Sequence, residues 1–93
     1  MRVIGYLEHP ILKISVFKMD NRLSVKFENA LYEQTFKFGG DDRIGSLEAV
    51  QQLVDEQFKA EVLDNLQTLH RIRLAALARR FPQQEDQAFE EII

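Results

Sequence analysis

Two hydrophobic rhythms divide this chain. From Val3 to Phe38 apolar residues recur at every second position, the period of a β-strand. From Ser46 to Phe81, Leu47, Val50, Val54, Phe58, Val62, Leu66 and Leu69 recur at spacings of three and four, which stacks them on one helix face. That second stretch holds no glycine or proline before Pro82, and the strands preceding it need a lid.

The strand region divides at its turn residues. Val3–Leu7 ends at His9-Pro10, Leu12–Met19 at Asp20-Asn21, Leu23–Glu28 at Asn29-Ala30, and Tyr32–Phe38 at Gly39-Gly40. Asp20-Asn21 tolerates positive φ and suits a two-residue hairpin loop. Such a loop sets Val16 opposite Val25, Ile14 opposite Phe27 and Lys13 opposite Glu28. A two-residue loop at Asn29-Ala30 sets Phe27 opposite Tyr32, Leu23 opposite Phe36 and Lys26 opposite Glu33. A tight turn at His9-Pro10 sets Leu7 opposite Leu12 and Val3 opposite Val16. All three turns send one set of residues to one face, an agreement that a one-residue slip would destroy. The expected inner face is Val3, Leu7, Leu12, Ile14, Val16, Leu23, Val25, Phe27, Tyr32, Phe36 and Phe38.

Ser46 is the expected helix cap, with Glu48 in the positive first turn. A straight helix of about 36 residues would run to about 54 Å, twice the length of an eight-residue strand. The helix therefore either breaks, at Asp55 to Glu61, or carries its second half onto another subunit. The fold class is α+β: a four-stranded antiparallel meander followed by a long or broken C-terminal helix packed on one sheet face. Residues 1–82 read as one β4-α domain and residues 83–93 as an acidic, flexible tail.

Composition narrows the functional classes. There is no cysteine, which removes disulfides and thiolate chemistry and fits a reducing, cytoplasmic setting. No apolar window approaches a membrane span, so a soluble protein is expected. The net charge is −3 but unevenly spread. Arg71, Arg73, Arg79 and Arg80 lie together without an acid, and Glu85, Asp86, Glu90 and Glu91 follow without a base.

Catalytic constellations are missing. His9 and His70 are the only histidines, His9 in a turn and His70 within the helical stripe. No acid stands beside them at ligand spacing, and no phosphate loop or dinucleotide fingerprint is present. Gly39-Gly40-Asp41-Asp42 resembles the first four residues of the diguanylate cyclase signature loop. The residues that follow in that family are absent, and the composition is that of a solvated turn. No catalytic residue, cofactor or metal is assigned, and an enzyme is not expected.

What remains is surface. Ile4, Tyr6, Phe17 and Met19 fall on the otherwise polar outer sheet face and form a candidate interaction patch. Leu66, Leu69, Leu74 and Leu77 form a candidate dimer face on the helix. The expected function is a small protein-interaction or structural module acting as a homodimer with an unidentified protein partner. The alternative is a single-stranded nucleic-acid binder. Four strands followed by a helix is an element order similar to that of the positive-cofactor-type and PUR-type single-strand binders. The resemblance implies dimers that lay nucleic acid on a sheet face, here with Lys13, Arg22, Lys26 and Lys37 for phosphates beside Tyr6 and Phe17 for bases.

Overall fold

A computed structural model describes residues 2–82. The order of elements is β1 (Arg2–Leu7), β2 (Lys13–Met19), β3 (Arg22–Glu28), β4 (Glu33–Gly39), a 3₁₀ turn (Asp42–Ile44), α1 (Leu47–Leu53) and α2 (Glu56–Arg80). The four strands form one antiparallel meander in sequential order, so the α+β reading holds. The chain divides into two compact units, Met1–Val62 and Leu63–Ile93. The expected acidic tail, 83–93, lies outside the described residues.

The central hairpin has the expected register throughout. Val16 pairs with Val25, Ile14 with Phe27 and Lys13 with Glu28, and Asp20 supplies the positive φ of 58°. The outer two hairpins differ, and for one reason. In each, a side chain caps the turn and lengthens it. His9 Nδ1 accepts hydrogen bonds from the Ile11 and Leu12 amides, both at 3.1 Å. Leu7 consequently pairs with Ile14 rather than Leu12. Asn29 Oδ1 accepts from the Leu31 and Tyr32 amides at 2.9 and 2.8 Å, and the Asn29 amide donates to the Tyr32 carbonyl at 3.0 Å. Phe27 then pairs with Gln34 rather than Tyr32, and Leu23 with Gly39 rather than Phe36.

A further shift between Leu23 and Ser24 makes the last of these three residues; beside the turns both displacements move the partner by two, so the faces survive over most of each strand. They fail at a bulge in β1, where the register shifts between Val3 and Gly5. Val3 pairs with Phe17 and is 42 % exposed, not on the inner face as the alternation predicts. Gly5 takes the place opposite Val16, under α1. A Cβ there would lie 2.5 Å from Leu47 Cδ2, so the bulge delivers a residue without a side chain to the point of closest approach.

The helix breaks at Val54-Asp55, the near edge of the expected interval. Ser46 Oγ accepts from the Ala49 amide at 3.1 Å and starts α1. Val54 leaves helical geometry at φ −87°, ψ 72°. Asp55 Oδ1 accepts from the Phe58 amide at 2.9 Å and starts α2. The first unit then closes over the sheet. Val50 and Val54 join Ile14, Val16, Leu23, Val25 and Phe27 in a core with at most 1 % exposure. Phe58 stacks on Phe27 (5.6 Å, 19°) and meets Phe36 edge-on (5.0 Å, 73°). Gln34 Nε2 donates to the Val62 carbonyl at 3.0 Å, tying β4 to α2.

Candidate interaction surface

The sheet face opposite α1 is organised in cross-strand rows. One row reads Tyr6, Ser15, Lys26, Thr35, and the next Val3, Phe17, Ser24, Lys37. Met19 and Arg22 pair beside the second row, and Lys13, Glu28 and Glu33 beside the first. Strand alternation thus brings all four predicted cations, Lys13, Arg22, Lys26 and Lys37, to one face together with Tyr6, Phe17 and Met19. Ile4 is the exception among the expected patch residues. It falls at the bulge without a partner on β2, and Val3 stands opposite Phe17 instead. The face is open: Tyr6 is 59 % exposed and Met19 46 %.

The small residues in each row let the large ones meet. Ser15 and Ser24 are buried between bulkier neighbours. Lys26 Nζ lies 5.5 Å from the centre of the Phe17 ring, and Lys13 Nζ lies 5.8 Å from that of Tyr6. Both distances are within cation–π range. Lys26 also has a second task. The longer turn sets Glu28 directly opposite Glu33, a like-charge pair that disfavours the hairpin. Lys26 Nζ reaches both carboxylates, at 3.5 and 3.7 Å, and offsets it. Its charge is therefore committed. Lys13, Arg22 and Lys37 make no ion pair among the described residues.

At the β2–β3 hairpin end the face opens into a hollow of about 340 Å³, lined by Phe17, Met19, Arg22, Leu23, Ser24, Lys37, Gly39 and Gly40. The register shifts between Leu23 and Ser24, and Gly39 (φ 69°) ends β4 with nothing within 4 Å of where a Cβ would stand. The sequence marks this place only as the Gly39-Gly40 loop. A shallower hollow of about 490 Å³ lies at the β1–β2 turn, between Tyr6, His9, Pro10 and Lys13.

Within the Gly-Gly-Asp-Asp loop, Asp41 is paired with Arg43. Asp41 Oδ1 accepts from the Arg43 backbone amide and from Arg43 Nε, each at 3.0 Å, and Oδ2 accepts from Nη2 at 2.7 Å. These bonds to Arg43 lower the Asp41 carboxyl to about 2. Among the described residues no cluster of three or more histidines or acids could hold a metal ion. Nor is any described helix long and apolar enough to cross a membrane.

On the helix, the predicted dimer residues differ in availability. Leu66 is 9 % exposed, whereas Leu69, Leu74 and Leu77 are half-buried and their neighbour Ile72 is 58 % exposed. Comparison with protein-family models, with curated proteins and with solved structures returns no match.

Proposed function

We propose that this chain is a non-enzymatic, cytoplasmic interaction module whose outer sheet face receives a protein partner, and that it works as a homodimer. The observation that carries the reading is the composition of that open face. Tyr6, Phe17, Met19 and Val3 supply apolar contact area, and Lys13, Arg22 and Lys37 stand among them without ion-pair partners among the described residues. Tyrosine and arginine are the residues over-represented where binding energy concentrates. A partner segment mixing acidic and apolar side chains fits this face in charge and in contact area. The homodimer reading draws on the C-terminal half of α2, where Leu69, Ile72, Leu74 and Leu77 leave apolar surface uncovered in the single chain.

The nucleic-acid alternative shares the same residues and is the weaker reading. Of the four cations, Lys26 is neutralised by Glu28 and Glu33. The ammonium groups of Lys13 and Lys26 also stand by the Tyr6 and Phe17 rings on which bases would stack.

The test is affinity capture with the wild type and with Phe17→Glu and Met19→Glu, each checked for its fold by circular dichroism. A discrete protein captured by the wild type and lost by both folded variants supports the reading. Anisotropy of a labelled single strand is the counter-test. Strand binding that weakens steeply between about 50 and 200 mM salt would replace the protein-partner reading with the nucleic-acid one. Light scattering tests the dimer: Leu74→Glu should give monomers, and a monomeric wild type at high concentration removes that part of the proposal.

A further inference from the structure

We propose that the hollow at the β2–β3 hairpin end is a ligand site for a carboxylate carried on a flat apolar body. The inference rests on the open outer face but not on a protein docking there, and it fails or survives separately.

Ser24 is flanked across the sheet by Phe17 on one side and Lys37 on the other. One step toward the hairpin on the same face, Met19 pairs with Arg22. Beyond Lys37 on β4 the register shifts, and Gly39 pairs with Leu23, whose side chain lies in the core. Gly39 and Gly40 line the hollow and leave that side of it without side chains. The apolar wall is therefore Phe17 with Met19, and the cationic wall is Arg22 with Lys37.

Each wall specifies half of the ligand. Arg22 and Lys37 have no carboxylate of this chain within ion-pair distance among the described residues. Two adjacent strands thus hold like charges around one hollow, and an anion there relieves their repulsion while gaining charge-assisted hydrogen bonds. The guanidinium fork matches the two oxygens of a carboxylate. The Phe17 ring and the polarisable Met19 thioether favour an aromatic body. The volume of about 340 Å³ lies at the small end of the range for organic ligands.

The probe is 2-naphthoate, titrated into the full chain and followed by two-dimensional amide NMR, with 2-naphthamide as its uncharged counterpart. The proposal expects saturable shifts confined to the Phe17–Ser24 and Lys37–Gly40 amides, with the amide ligand weaker by tenfold or so. Arg22→Gln and Lys37→Gln should each weaken 2-naphthoate by about tenfold and leave 2-naphthamide almost unchanged. Equal affinity for the two probes, shifts centred elsewhere, or no saturable shift at millimolar probe would overturn the proposal.

Discussion

Truncating Phe58 tests the packing that holds the sheet to its lid. Its ring stacks on Phe27 and meets Phe36 edge-on, and Phe27 and Phe36 meet each other at 5.7 Å and 88°. The three rings form one cluster between α2, β3 and β4. Removing a buried phenylalanine side chain costs about 3–5 kcal/mol, and the half-buried position of Phe58 brings Phe58→Ala to about 2–3 kcal/mol. Part of that loss belongs to ring geometry rather than to area. Phe58→Leu restores most of the volume but neither ring contact, and should stay about 1–2 kcal/mol below wild type. For a domain of this size the alanine loss corresponds to a melting temperature lower by roughly 10–20 °C. Urea and thermal denaturation followed by circular dichroism measure both variants. An alanine variant within about 0.5 kcal/mol of wild type would refute the reasoning, because surface positions behave that way. A leucine variant as stable as wild type would show that volume alone matters.

Three further outcomes follow from local geometry. His9→Ala should cost about 1–2 kcal/mol, because two turn amides lose their acceptor, and His9→Asn should recover part of it; equal stability of all three chains in urea would count against the capped turn. Asp55→Ala should cost about 1 kcal/mol through loss of the α2 cap, with Asp55→Asn close to wild type in the same assay. The Asp41 carboxyl is lowered in the folded chain, so its bonds to Arg43 hold above the ordinary carboxylate range and are lost as pH falls through about 2. The Arg43 amide shift should therefore be flat from neutral pH to about 4, the ordinary carboxylate value, and move only below it; a midpoint at that ordinary value would contradict the geometry.

The parts of the fold that were legible in the sequence are those fixed by backbone alternation alone. The β2–β3 register follows residue by residue from a two-residue loop whose first member accepts positive φ. The outer hairpins needed more. His9 and Asn29 use side-chain acceptors to close longer turns, and such competition between side chain and backbone is invisible to an alternation count. Asn29 was the readable signal, since asparagine commonly caps its own turn in this way. Length alone leaves the helix either to break or to run on to another subunit, and Asp55 as a second cap explains why it breaks and where.

The surface divides along the same line. Lys13, Arg22, Lys26 and Lys37 share a face because strand period forces them to. Val3 replaces Ile4 beside Phe17 because a bulge in β1 resets the parity, and no residue type in Val3-Ile4-Gly5 announces it except the glycine. The hollow escaped the sequence because the register shift between Leu23 and Ser24, which sets where Gly39 and Gly40 line it, is invisible to an alternation count. The Glu28–Glu33 pairing likewise emerged only once the longer turn was known, and it is what commits Lys26.

Photo-crosslinking from Tyr6 in the living cell puts the outer face to the most direct test. A benzoylphenylalanine at this exposed position keeps the phenyl ring and has room for its added benzoyl group, and the exposed Gln51 on α1 serves as the control site. The account predicts a discrete protein adduct from position 6 that is absent from position 51 and disappears with Met19→Glu. The same adduct from both positions, or adducts to nucleic acid alone, would contradict it.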